Sequence, residues 1–292
     1  LEDALASYHK ALGIKPDYPE AHNNLGVTLQ KLGKLDDALA SHQKALDIRP
    51  DYAEAHFNVG NLFQELGKLD DAANDYRRAL AIKPDFVEAH NNLGATLQGV
   101  GKLEDAVASC QKALDLKPDY AEAHYGLGML QLLMGDFLHG WKNCAWRWKT
   151  KQYLSLPRDY EKPSWNGGEL KGETIFVYPE QGLGDTIQFV RYLPLLKQHG
   201  CRVVFETPKS LTRLFATVGI ADQLIEPGET PPTIDCHAAL LDLPQLLNTT
   251  LETIPSYNSY LSAPSDLKKE WAYRLGPRKK FRLGIVWAGR SA

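Results

Sequence analysis

Residues 21–52 read AHNNLGVTLQKLGKLDDALASHQKALDIRPDY, and residues 89–120 read AHNNLGATLQGVGKLEDAVASCQKALDLKPDY. Of the 32 aligned positions 24 are identical, and a third copy at 55–86 lies between them in the same register. The period is 34 residues, marked by Gly26, Gly60, Gly94 and Gly128 and by Pro16, Pro50, Pro84 and Pro118. Leu25, Leu29 and Leu32 recur at helical spacing before Gly33-Lys34 stops the helix. Leu35, Ala38, Leu39, Ala45 and Leu46 make a second apolar face that ends at Pro50. Each period therefore predicts two helices, with the small residues Gly26 and Ala38 letting them approach closely.

The period and pattern resemble the tetratricopeptide repeat (TPR), a pair of antiparallel helices. Four repeats begin near residues 19, 53, 87 and 121, and residues 1–18 supply the second helix of an earlier one. The expected solenoid covers residues 1–150, cut from a longer array. Stacked TPR units form a superhelix whose concave face suits extended partners. Asn24, Asn58 and Asn92 share one repeat position, and Gly126 breaks the series. A carboxamide both donates and accepts, so such a column can hold a peptide backbone whatever its sequence. The arrangement resembles the asparagine ladder in the TPR superhelix of O-GlcNAc transferases; a solvated face is the plainer alternative. His22, His56, His90 and His124 also recur, but on separate helix pairs, so they predict packing rather than a zinc site, whose ligands must converge.

Composition narrows the function classes. The chain has 292 residues, 33 Lys and Arg against 36 Asp and Glu, and a net charge of −3. That length suggests about two domains. Up to residue 150 there are 16 basic and 21 acidic residues, and after it 17 and 15. Neither half has the basic excess of a nucleic-acid binder. No apolar run approaches the ~20 residues of a membrane-spanning helix. Cys110, Cys144, Cys201 and Cys236 form no CxxC pattern, which argues against zinc or a disulfide framework and fits a reducing cytoplasm.

The pattern changes after residue 140, beyond which all six tryptophans lie. Trp141 and Trp148, seven apart, are expected on one helix face sealing the solenoid. Residues 151–173, rich in Pro and Gly, predict a linker ordered by Trp165. From 174 to 292 apolar strands (174–179, 202–206, 223–226, 234–239, 282–287) alternate with helices (186–199, kinked by Pro194, 209–218, 243–247, 266–275). That alternation predicts a single parallel, Rossmann-like α/β domain with helices on both faces. Ligands of such sheets bind at the carboxyl ends of the strands, where loop 180–185 falls.

The stretches GDFLHGWKNCAWRW, PSWNGGELKG, EQGLGDTIQFVRYLPLL, the 234–237 strand with its LDLP, and GIVWAG at 284–289 resemble bacterial TPR proteins fused to a heptosyltransferase-like domain. The resemblance covers about residues 134–289. It implies the acceptor-side half of a GT-B fold, with inverting sugar transfer between that half and a second, donor-binding one. The sequence stops at Ala292, just after GIVWAG, so the donor half is expected to lie outside these residues. The fragment is expected to be inactive and to need no cofactor of its own, because a nucleotide-sugar donor would bind the missing domain. The resemblance implies that Asp185 is the catalytic base. Gln181, Gly182, Gly184, Gln188 and His237 are the expected substrate contacts; His237 and Lys209, near carboxyl strand ends, could each touch an acceptor but also read as ordinary surface. The partners implied are a peptide or protein on the TPR face and a glycan or protein acceptor.

Alternatives stay open at this loop. Asp185 followed by Gln188 also reads as a helix N-cap and capping box. Gly182-x-Gly184 after a strand, with Glu206 ending the next strand, suggests a dinucleotide fingerprint. Against that reading, Ile187 stands at the third glycine position and Asp185 sets a negative charge where pyrophosphate would dock. Arg290 stands where the resembling family more often has Asn. The whole chain also reads as a TPR interaction scaffold with a catalytically dead sheet domain.

Overall fold

The computed structural model describes residues 1–154, 160–256 and 260–277. The chain forms two compact units, Leu1–Arg158 with Asn248–Thr253 and Asp159–Leu247 with Ile254–Ala292. The first is a succession of helices: α1 (Glu2–Ile14), α2 (Pro19–Lys31), α3 (Leu35–Ile48), α4 (Ala53–Glu65), α5 (Leu69–Ile82), α6 (Val87–Gly99), α7 (Leu103–Leu116), α8 (Ala121–Leu133) and α9 (Phe137–Cys144). Each first helix packs on its successor, α2 on α3, α4 on α5, α6 on α7 and α8 on α9, and α2, α4, α6 and α8 also neighbour one another in turn.

Sequence explains these pairs locally. Each first helix ends at a left-handed glycine, Gly33, Gly67, Gly101 or Gly135, with φ of +73°, +72°, +77° and +88°. The Gly33 N–H donates to the Gln30 carbonyl at 2.9 Å and the Lys34 N–H to the Leu29 carbonyl at 3.0 Å, which satisfies the orphan carbonyls of the last turn. Within each pair the second helix presses against a second glycine of the first. A Cβ added to Gly26, Gly60 or Gly94 would lie 2.7, 2.7 or 2.6 Å from the side chain of His42, Tyr76 or Cys110. At Gly128 it would lie 2.6 Å from the Cys144 backbone nitrogen. Burial pushes the Cys110 and Cys144 thiols up to about 11, so both are packing residues.

His42 is fully buried, donates from Nδ1 to Asn23 Oδ1 at 2.9 Å, and leaves Nε2 without a partner. Burial lowers its pKa from 6.5 to about 4. The unfolded chain therefore takes up a proton that the native site resists. Stability from this residue is whole above pH 6.5 and is lost progressively as pH falls towards 4, by roughly 3 kcal/mol. His42→Cys, which installs the residue found at positions 110 and 144, is expected to flatten that dependence. Urea midpoints at pH 7 and pH 4.5 measure it, and an equal acid loss in both proteins contradicts the assignment.

The junctions between repeats share one clamp. Lys15, Arg49, Lys83 and Lys117 sit over the rings of Tyr18, Tyr52, Phe86 and Tyr120 at 4.9, 4.6, 4.8 and 5.2 Å. Such contacts contribute about 0.5–1 kcal/mol each when exposed. His22, His56, His90 and His124 donate from Nε2 to the carbonyls of Pro16, Pro50, Pro84 and Pro118 at 2.8, 3.2, 2.9 and 2.9 Å. Arg49 and Lys83 also pair with Glu20 and Glu54. The fourth repeat ends differently from expectation. Helix α9 stops at Cys144 and a 3-10 turn covers Ala145–Lys149, so Trp141 and Trp148 share no helix face. Trp146 stacks on His124 instead, centroids 3.9 Å apart and planes 15° from parallel.

The short α10 (Lys151–Leu154) follows in the first unit. The second unit holds a four-stranded parallel sheet of β1 (Thr174–Tyr178), β2 (Arg202–Glu206), β3 (Gln223–Ile225) and β4 (Cys236–Ala239), in the order β3-β2-β1-β4. Between β1 and β2 run α11 (Leu183–Phe189) and α12 (Leu193–Gln198), joined by a 3-10 turn at Val190–Tyr192; α13 (Thr212–Ala216) links β2 to β3, and α14 (Leu243–Leu246) and α15 (Ser265–Leu275) follow β4. Ile175, Val177, Val203, Phe205, Cys236 and Ala238 form one core with Val190, Leu193, Leu196, Phe215 and Leu243. Crossovers that step twice in one direction place their helices on one face. Residues of α12, α13 and α14 pack on this one face of the sheet. On the other, Phe176, Tyr178 and His237 pack their rings about Tyr160 at 5.2, 5.2 and 4.8 Å.

Two further expectations shift. The predicted 186–199 helix starts three residues earlier, at Leu183, and breaks before Pro194, whose ring lacks the N–H an unbroken helix would need there. The predicted linker pairs with the sheet: Trp165 donates its N–H to the His237 carbonyl at 2.7 Å, and His237 donates to Pro163 at 3.1 Å. The predicted 282–287 strand, GIVWAG and Arg290 lie outside the described residues.

Candidate functional site

Two surfaces carry the residues singled out in the sequence. On the helical unit, Asn24, Asn58 and Asn92 stand at matching places on α2, α4 and α6. Asn24 is exposed, and Asn58 and Asn92 are half-buried. Neighbouring repeats fix the latter two. Asn58 Nδ2 donates to Asn23 Oδ1 at 3.0 Å, and Asn92 Nδ2 donates to Asn61 Oδ1 at 2.9 Å. Asn61 Oδ1 also lies 2.8 Å from the Tyr76 hydroxyl, which is 2.9 Å from Gln64 Oε1; its single hydrogen serves one acceptor at a time. Asn91 donates to Asn92 Oδ1 at 3.3 Å. Asn58 and Asn92 are thereby each pinned through one N–H, which leaves the second N–H of each carboxamide for another acceptor.

Along the same helix face the chemistry grades. The positions three and seven residues beyond Asn24 are Val27 and Lys31; beyond Asn58, Asn61 and Glu65; beyond Asn92, Ala95 and Gly99; beyond Gly126, Met129 and Leu133. Gln30 Nε2 donates to Glu65 Oε2 at 2.7 Å across α2 and α4. The face is polar at the first repeat and apolar at the fourth.

On the sheet unit, the strand order reverses direction at β1, with β2 on one side and β4 on the other. The crevice outside the carboxyl ends of β1 and β4 is the switch point where open parallel sheets bind ligands. The loop from Pro179 to Gly182 and the start of α11 lie there. Asp185 is the third residue of α11, not its N-cap. The cap is Gly182, whose N–H donates to Asp185 Oδ2 at 3.2 Å, and Thr186 Oγ1 donates to the Gly182 carbonyl at 3.0 Å. Gln188 is exposed and takes no part in that cap, correcting the capping box drawn from Asp185 and Gln188. Gly182 has φ −71°, open to any residue, and a Cβ on Gly184 would meet nothing within 4 Å. The fold itself requires neither glycine, so their bareness leaves open space against the loop backbone.

Gln181 is half-buried beside that loop, and Lys209 is exposed in the loop after β2. His237 sits within β4, not at its end, at 8% exposure. Its Nε2 is 3.5 Å from Ser164 Oγ, and its Nδ1 has no partner. Burial lowers its pKa, with the Lys162 carbonyl opposing. Among the described residues no cluster of His, Cys, Asp and Glu is arranged to hold a metal ion, and no helix is long and apolar enough to cross a membrane.

Residues 17–85 and 75–108 match tetratricopeptide-repeat family profiles, and residues 100–135 match a TPR-repeat profile. The repeats are TPRs. FlbA of Caulobacter vibrioides is 25% identical over 179 residues, 53% of this chain and 29% of FlbA, so the chain spans less than a third of that relative's length. The solved structure of YrrB, described as a TPR protein with an unusual peptide-binding site, is 21% identical over 50% of this chain and 75% of its own, TM-score 0.45. A Thermobaculum terrenum O-GlcNAc transferase is 22% identical over 70% of this chain and 40% of its own, TM-score 0.44.

The TPR array shows which residues the repeat reading passed over. Asn23, Asn61 and Tyr76 orient the ladder without belonging to its column. The signal was present in the Asn23-Asn24 and Asn91-Asn92 doublets and in Asn61, one helical turn past Asn58.

Proposed function

We propose that the chain is a peptide-binding TPR scaffold in which Asn24, Asn58 and Asn92 read the backbone of an extended segment, and that its sheet unit is the acceptor half of an inverting sugar-transfer site. The observation that carries the first part is the pair of cross-repeat bonds, Asn58 to Asn23 and Asn92 to Asn61. They hold the carboxamides in place before any partner arrives, which removes part of the ordering cost of binding. Replacing all three by Ala is expected to weaken a bound extended peptide at least tenfold, while helical circular dichroism stays as in the parent. Equal affinity in the triple variant, measured by calorimetry, would sink the ladder.

The second part rests on the switch point and on Asp185 beside it. In this reading Asp185 takes the proton of the acceptor hydroxyl as the donor phosphate leaves. Gln181, Gln188 and the bare backbone at Gly182 and Gly184 contact the acceptor, a glycan or a protein hydroxyl. His237 lies deeper and supports the strand. The chain's own residues need no cofactor, because a nucleotide-sugar would be held by a separate donor domain. The alternative, a scaffold whose sheet unit is catalytically silent, is favoured by the carboxylate of Asp185 already accepting from Gly182. The place of action in this reading is the cytoplasm, with no nucleic acid involved.

A further inference from the structure

We propose that the ladder face ends in an apolar anchor subsite on α8, formed by Gly126, Met129 and Leu133, which takes a bulky hydrophobic side chain of the same extended peptide. The proposal rests on the peptide-binding reading above and adds to it a sequence preference that a backbone ladder by itself would lack.

The register makes the argument. Gly126 occupies the place of Asn24, Asn58 and Asn92, and Met129 and Leu133 occupy the places of Val27 and Lys31. These positions, three and seven apart, share one face of a helix. Helix α8 neighbours α6, so the face carrying Asn92 passes directly to the face carrying Gly126. At that step the surface stops offering carboxamides. Met129 and Leu133 stand out at 42% and 61% exposure on a helix whose other side is committed to Leu127 and Leu130 in the core. A Cβ on Gly126 would have only Cys110 Sγ near it, at 3.7 Å, so the missing side chain reflects no crowding from within. Its absence leaves a shallow recess where the preceding repeats project Asn.

The occupant follows from continuity. A segment held along Asn24, Asn58 and Asn92 arrives at this recess with its next residues, and a surface of thioether and isobutyl groups gains by covering an apolar side chain. Met, unbranched and polarisable, adapts to several shapes, so Leu, Phe and Met are all suited. Lys31, in the first repeat, favours polar residues at that end of the segment.

The test uses the 292-residue chain and three fluorescein-labelled 12-residue peptides of Ser, Thr and Gly. One has no apolar residue, one carries Leu-Phe near its C-terminus, and one carries Leu-Phe near its N-terminus. Fluorescence anisotropy is read for the parent, for Met129→Ser with Leu133→Ser, and for the triple Asn variant. Both serines replace exposed side chains, and circular dichroism verifies the fold. Burying a Phe or Leu side chain predicts roughly 10–100-fold tighter binding of one Leu-Phe peptide than of the plain one. The double serine variant is expected to erase that gain and leave the plain peptide's affinity as it was. Equal binding of all three peptides by the parent, or a gain that survives the two serines, overturns the subsite. A gain erased by the serines but untouched by the triple Asn variant upholds the anchor and overturns the ladder. Absence of binding by every peptide at millimolar concentration overturns both.

Discussion

Tyr76→Ala is expected to lower the stability of the TPR array by about 3–5 kcal/mol, the usual cost of deleting a fully buried aromatic side chain. Tyr76 has no exposed surface, and its ring covers Gly60 so closely that a Cβ there would lie 2.7 Å away. Phe57 lies against it with centroids 5.8 Å apart, and its hydroxyl reaches Asn61 and Gln64. Truncation therefore opens a cavity and removes the one hydroxyl hydrogen that Asn61 Oδ1 and Gln64 Oε1 share, while Asn61 Oδ1 still accepts from Asn92. Tyr76→Phe separates the two effects. It keeps the packing, and is expected to cost about 1 kcal/mol for the lost hydrogen bond. It also frees Asn61, the acceptor that holds Asn92, so peptide affinity is expected to fall more than stability does. Denaturant melts beside peptide titrations of both variants check this. A Phe variant as unstable as the Ala variant would show that the hydroxyl network, rather than the ring, holds the second repeat.

In a protein carrying both halves of the proposed transfer site, Asp185→Asn is expected to slow sugar transfer by roughly 10²–10⁴, the ordinary contribution of a general base. The fold is expected to survive, because the Asn carbonyl oxygen can still accept from the Gly182 N–H as Asp185 Oδ2 does at 3.2 Å. Asn has no proton-accepting oxygen of comparable basicity, so the chemistry suffers where the cap does not. Turnover and thermal melts on the same preparations distinguish the roles. Full activity with an unchanged melt would remove Asp185 from the chemistry, whereas a lowered melt with proportionate loss would leave it as a helix cap alone.

The repeats were legible because a 34-residue period leaves little freedom: the glycine that ends each first helix and the glycine that crosses it recur in sequence before they recur in space. The parallel strands were legible from apolar runs such as Val203–Phe205, whose burial on both faces leaves no polar alternation. What stayed hidden was cross-chain geometry. Nothing local in Trp165 or Pro163 announces pairing with His237, because those hydrogen bonds join residues over seventy positions apart. The start of α11 was misplaced for a different reason. Asp185 and Gln188 have the spacing of a capping box, but so do Gly182 and Asp185, and only the second pair has the acid at the third helical position. The ladder column was visible, while its orientation by Asn23 and Asn61 depends on partners 35 and 31 residues away.

The junction clamp has a consequence for how such an array changes length. At Pro16, Pro50, Pro84 and Pro118 the chain makes the same two bonds, a basic side chain over a ring and an imidazole on a proline carbonyl. The close glycine contact, by contrast, lies wholly inside a unit, as between Gly60 and Tyr76. Cutting at one proline and rejoining at the next would remove a complete pair of helices and bring together two ends that already speak the same chemistry. Losing or gaining one such module would shift the carboxamide column by one rung and leave every remaining joint of the same kind.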